Sequence, residues 1–163
     1  MPNDVGANLP GDRVLMSLKP EYYELMWEGL KTHEFRRRYL KGQPTTWYVY
    51  LTAPVSKLTA VINLDEAVVG SPRSLADIAE RANPGSGKSV YAYLEDVELA
   101  HAMPIRMIRE YPGFTADQLA VMLDGFQAPQ GYTLIDKHAD WAGTCDRLTQ
   151  APVVRELVIQ HPV

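Results

Sequence analysis

The sequence holds one cysteine, Cys145, so no disulfide can close within the chain. Its four histidines, His33, His101, His138 and His161, are too scattered to form a cysteine–histidine cluster with metal-ligand spacing. A reducing cytoplasm fits this usage, and a structural zinc does not. No apolar stretch approaches the length of a membrane span, and the opening residues MPNDVGANLPGD lack both the basic flank and the apolar run of a secretory signal. A soluble, cytoplasmic protein with no membrane partner is expected. No serine lies in a G-x-S-x-G elbow, which leaves a hydrolase triad without support, and no motif for a bound cofactor is present. Positive charge is also scarce. The net charge of −4 is not the cationic coat of a generic duplex binder.

What is present is unevenly placed. From Arg13 to Lys57 eight Lys and Arg stand against four Glu, a local +4, so the remainder carries −8. A basic patch on an acidic body suits a small anionic target or a short piece of nucleic acid. With 163 residues, 46% of them hydrophobic, the chain has the size of one domain with a single core. Residues 1–12 read as a loose Pro/Gly/Asn-rich arm. RVLMSL is a first strand. Pro20 then opens a helix whose buried stripe is Tyr22, Tyr23, Met26, Trp27 and Leu30, with Gly29 as its stop.

WYVYLTA (47–53) and LTAVINLDEAVV (58–69) read as strands. Ser71 caps a helix over SPRSLADIAERAN, SVYAYLEDVELAHAMPI reads as a long strand, and Thr115 caps a helix over TADQLAVMLDGF. A short strand GYTLI and the apolar run PVVRELVI follow. Strands over 32–69 without intervening helices predict an α+β domain on a small, mainly antiparallel sheet.

The chemistry concentrates in GLKTHEFRRR, Gly29 to Arg38. Alternation along a strand puts Thr32, Glu34, Arg36 and Arg38 on one side and Lys31, His33, Phe35 and Arg37 on the other. Neither side is apolar throughout, so at least one meets solvent, a cleft or a ligand. A solvated, charge-protected edge strand accounts for the Arg37–Arg38 end equally well. Glu34 and Arg36, at i and i+2, share a side and suit planar recognition of a ligand.

The string ANPGSGKS invites comparison with a phosphate-binding loop, but its first position is Ala82 and a helix precedes it. With a strand expected after it, we read it as a turn. Spacing makes most of the aromatics core, leaving one or two of Tyr22, Tyr23, Trp27, Trp47, Tyr48 and Tyr50 as a stacking wall for a base.

The string VLMSLKPEYYELMWEGLKTHEFRRR resembles the ASCH domain, a PUA-like β-barrel family, in its strand ending S-[IL]-K-P, its helix, and the motif G-x-K-x-x-E-x-R. Ser17, Lys19, Pro20, Gly29, Lys31, Glu34 and Arg36 match. WYVYLTAPVSKLTAVINLDEAVVGSP is similar to the family's next strands, VYAYLEDVELAHAMPI to a late strand, and FQAPQGYTLI to its closing Pro-Gln segment. The resemblance spans residues 13–136 and leaves 137–163 as an extension packed on the same domain.

It implies a small PUA-like β-barrel with flanking helices and a cleft that takes RNA or a modified nucleotide. Ser17, Lys19, Lys31, Glu34, Arg36 and Arg38 are the implied binding residues, with Arg37 a further phosphate contact. The alternative is a small hydrolase acting on a modified nucleoside such as N4-acetylcytidine or, as a ribonuclease, on an RNA phosphodiester, with Lys31, Glu34 and Thr32 as the catalytic candidates. Small members that hydrolyse N4-acetylcytidine use a Lys matching Lys31 and a Thr three residues on, where this chain has Glu34, so Thr32 would have to serve.

Overall fold

A computed structural model describes residues 12–40 and 42–161; the expected N-terminal arm, up to residue 11, lies outside the described residues. Along the chain come β1 (Asp12–Leu18), α1 (Pro20–Trp27), β2 (His33–Arg36), β3 (Thr45–Leu51), β4 (Lys57–Leu64) and β5 (Val68–Gly70). Then follow α2 (Pro72–Ala82), α3 (Gly87–Leu94), β6 (Ala100–Thr115) and α4 (Ala116–Met122). A 3-10 turn at Ile135–Lys137 separates β7 (Thr133–Leu134) from α5 (Ala139–Leu148), and β8 (Arg155–Val158) comes last.

The strands form one sheet in the order β2-β6-β4-β3-β1-β7, with β5 and β8 also paired to β6. Only β1 and β3 run parallel among the described ladders. The expected α+β fold with a PUA-like, mainly antiparallel barrel is therefore the one formed, as a curled half-barrel with five α-helices around it among the described residues.

The curl comes from β6. Its first half pairs with β2 and β5, its second with β4 and β8, and its ladder with β4 slips register at Leu58/Ala60 and Asn63/Leu64. Gly113 sits at φ +79°, and a Cβ there would run into the Leu58 carbonyl. Both faces of the sheet are covered. Val14, Met16, Trp47, Val49, Ile62 and Met103 pack with Tyr23 and Met26 of α1, while Leu15, Tyr48 and Tyr50 pack with Leu119 of α4 and Leu148 of α5. Each such Leu, Ile or Met contributes roughly 1.5–3 kcal/mol by leaving water. Beyond residue 136, Cys145 and Leu148 join that second cluster and β8 pairs with β6 from Met107 to Glu110. No helix among the described residues is long and apolar enough to cross a membrane.

Local signals set several boundaries. Gly29, at φ +80°, ends α1; Ser71 accepts the Ser74 N–H; Thr115 and Gln118 form a reciprocal capping box. Three expectations need correction. The run LTAVINLDEAVV is two strands, β4 and β5, broken at Asp65–Ala67. Tyr22 and Leu30, expected in the buried stripe of α1, are 42% and 38% exposed, because the helix ends at Trp27 and its eight residues turn only Tyr23 and Met26 fully into the core.

The largest correction is SVYAYL, which is helical. Its β-prone residues are overridden by packing, for Val90 and Leu94 join Phe35, Leu75 and Ala79 under the α2–α3 pair. The GSGKS loop therefore does enter a helix, but the Gly85 and Gly87 N–H groups donate to Glu80 at 2.8 and 2.9 Å. Those two bonds hold the Glu80 carboxyl below its ordinary range and occupy the donors a phosphate would need.

Candidate functional site

The end of α1 delivers the site. With Gly29 in the left-handed region, the Leu30 and Lys31 N–H groups both donate to the Leu25 carbonyl, which turns the chain so that Lys31 lies just before β2. Strict alternation would have sent Lys31 away from Glu34. Because it precedes the strand, its Nζ instead lies 3.3 Å from Glu34 Oε1. Arg36, on the same side of β2 as Glu34, donates from Nε to Oε2 at 3.0 Å. Glu34 is 5% exposed and thus bridged on both oxygens by cations, the condition under which a carboxylate can be buried ionised.

Aromatic rings and further donors surround this cluster. Lys31 Nζ also lies 5.9 Å from the Tyr22 ring centroid and 5.2 Å from that of Phe35. Lys19 Nζ approaches the same Tyr22 ring at 5.8 Å. Arg36 Nη2 donates to the Ser17 carbonyl at 3.4 Å, and Ser17 Oγ donates to the Pro129 carbonyl at 2.7 Å. That contact ties β1 to the loop carrying Tyr132, whose ring stands 5.6 Å from Tyr39. Burial pushes the Tyr39 hydroxyl up to about 12, the nearby Glu34 charge adding to it while the Thr45 contact at 2.7 Å and Arg36 pull the other way.

Ser17, Lys19, Lys31, Glu34 and Arg36 are thus brought together. Arg38 is exposed in the bend that follows β2. Arg37 is tied elsewhere: its Nε donates to the Tyr93 carbonyl at 2.8 Å, lies 3.3 Å from Asp96, and its guanidinium stacks 4.6 Å above the Tyr93 ring. The Thr32 hydroxyl is engaged by its neighbour, 2.8 Å from His33 Nδ1. Burial, then His161, Lys31 and Arg81, lower His33 to about 4 and keep it neutral. His161 Nε2 donates to the Ile105 carbonyl at 2.8 Å, with its ring 5.1 Å from His33.

Sequence reasoning missed Tyr39 and Tyr132; a Tyr in the Pro-Gln segment was the one available signal. A cavity of about 400 Å³ lies away from the motif, between α2 and α3, lined by Arg73, Asp77, Glu80, Lys88 and Tyr91. Its mixed charges converge on no buried acid or base, so the motif cluster is the better candidate.

No protein-family model matches the chain. An ASCH domain-containing ribonuclease of Zymomonas mobilis is 31% identical over 124 residues, which is 76% of this chain and 84% of that protein. The crystal structure of ASCH from Zymomonas mobilis is similar at TM-score 0.71 and 28% identity, over 84% of this chain and 95% of that one. A serine-to-alanine variant of the Zymomonas protein superposes at the same TM-score with 27% identity, covering 84% of this chain and 96% of that one. Identity of this extent, together with the shared fold and the intact G-x-K-x-x-E-x-R run, makes this chain a member of the ASCH-domain family.

Proposed function

We propose that the chain is an RNA-binding ASCH-type domain whose ligand seats on Lys31, Glu34 and Arg36, with Ser17, Lys19 and Arg38 at the margin. The observation that carries this reading is the buried Glu34 carboxylate bridged by two cations. One negative charge fixes two positive ones, so the cluster keeps a net +1 and N–H donors beyond those that Glu34 accepts. Fixed cations with spare donors suit a phosphate, and the exposed Tyr22 ring beside Lys19 and Lys31 offers a stacking face for an unpaired base. Glu34 acts chiefly by orienting Lys31 and Arg36. The local +4 on an acidic chain points to a short single strand.

The test is a titration with a short single-stranded RNA. Lys31→Ala should weaken binding about tenfold or more, on the order of 1.4 kcal/mol. Wild-type affinity should fall with salt along a shallow slope, as for about five phosphate contacts. A slope equivalent to roughly ten contacts would contradict a local site.

A second reading, hydrolysis of RNA, is favoured by the name of the Zymomonas relative, a ribonuclease. Here Lys31 and Arg36 would stabilise charge developing on the phosphoryl oxygens. Cleavage of the same RNA by wild type, lost in Lys31→Ala, would establish it. The amidohydrolase variant of this reading fits less well, because the Thr32 hydroxyl is engaged with His33 rather than with Lys31 or Glu34.

A further inference from the structure

Five polar or charged residues are buried among the described residues: Glu34, Thr45, Thr59, His101 and Thr144. Four have partners. Glu34 has Lys31 and Arg36, Thr45 has the Tyr39 hydroxyl, Thr59 donates to the Tyr111 carbonyl, and Thr144 donates to the Asp140 carbonyl. His101 has none: both its ring nitrogens are buried and unbonded. The other orphan, Trp27 Nε1, is a single donor beneath the Arg155 guanidinium, 4.0 Å above the ring.

Position makes the His101 orphan informative. In the antiparallel β2–β6 ladder His101 stands directly opposite Arg36, and Met103 opposite Glu34. Directly paired residues of an antiparallel ladder share a face, so His101 lies on the side of the sheet that carries Glu34 and Arg36. Its neighbour on the other flank is Val69 of β5, which is 41% exposed, so the ring sits close to the rim. A buried polar group without a partner bears its full desolvation cost, and such groups are rare outside sites where something else supplies the bond.

We propose that His101 belongs to the ligand site, pairing through an imidazole nitrogen with the nucleotide held by Lys31, Glu34 and Arg36. The inference rests on the RNA-binding reading above. A neutral imidazole presents one donor and one acceptor, the complement of a base edge or a ribose hydroxyl. His101 is therefore a residue that reads the ligand, while Lys31 and Arg36 hold its charge.

The test compares His101→Phe, His101→Gln and Lys31→Ala, titrated with a short single-stranded RNA of random sequence and melted in its absence. His101→Phe should weaken binding about tenfold while the free protein melts at an equal or higher temperature, since an apolar ring removes the orphan's cost. His101→Gln, which keeps donor and acceptor, should recover part of the affinity and carries the test should the Phe variant fail to fold. In the wild type, the imidazole 15N resonances should shift when RNA is added. Unchanged affinity in both His101 variants while Lys31→Ala weakens binding would overturn the inference and leave His101 to a buried water. Unchanged affinity in all three variants would overturn the RNA-site reading itself.

Discussion

Two clusters in this molecule use the same residue types to opposite ends. In the first, the Glu34 carboxylate lies between two cations, Lys31 and Arg36. In the second, one cation lies between two carboxylates: Arg155 donates from Nε and Nη2 to Glu110 at 3.1 and 3.0 Å, and from Nη2 to Glu24 at 3.1 Å. Its guanidinium also covers the Trp27 ring at 4.0 Å, and the Tyr23 hydroxyl donates to the same Glu110 oxygen at 2.8 Å. The Arg155 cluster joins α1, β6 and β8, and its net charge is −1. Its acceptors outnumber its cations, so it has nothing to offer an anion. The Glu34 cluster is the reverse, with spare donors around a carboxylate that fixes their direction. The ratio of donors to acceptors, more than the presence of charge, separates the clamp from the proposed site.

The largest expected effect comes from breaking the clamp. Arg155→Ala strips the cover from Trp27 and leaves Glu110 half-buried without its cation. Because the Arg155 side chain is 38% exposed, the loss should be about 2 kcal/mol rather than that of a fully buried pair. Urea unfolding would measure it, and RNA affinity should not move. A fall in affinity equal to that of Lys31→Ala would erase the distinction between the two clusters.

A smaller effect sharpens the site side. His33, behind Lys31, is held neutral with its pKa lowered to about 4. An unfolded chain takes up this proton as pH falls through about 6.5, whereas the folded chain takes it up only near 4. Stability is therefore full above about 6.5 and is lost as pH falls toward 4. The ring is half-buried, so the loss should be roughly 2 kcal/mol or less. Urea midpoints at neutral and acid pH would show it, and His33→Gln should flatten the difference. A slope unchanged in His33→Gln would mean that another group governs the acid limb.

The smallest effect belongs to the GSGKS loop. Lys88→Ala and Ser89→Ala should leave both stability and RNA binding within error, as Glu80 already occupies the loop's N–H groups. Lys88-dependent binding of ATP, measured by calorimetry, would reverse that assignment.

What was legible in the sequence was local. Pro20 and Gly29 bound α1, Ser71 and Thr115 cap their helices, and Glu34 and Arg36 share a side, because each depends on neighbours within a few residues. SVYAYL reads as strand because its residue types favour a sheet, and only Phe35 and Leu75, distant in sequence, make it a helix packed on α2. Lys31 reads on the wrong side for a related reason: strand alternation does not hold for the two residues before β2 begins. Tyr132 meets Tyr39, and His101 stands opposite Arg36, through pairings distant in sequence, whose register no local pattern reveals.

Glu34→Gln is the most direct test of the claim that the Glu34 cluster is a site and the Arg155 cluster a clamp. The substitution preserves size and removes the charge that orients Lys31 and Arg36. Measured together by thermal melting and RNA titration, it should leave the melting temperature little changed while lowering affinity tenfold or more, on the order of 1.4 kcal/mol. A large loss of stability with unchanged affinity would make Glu34 a structural ion-pair partner and contradict the account.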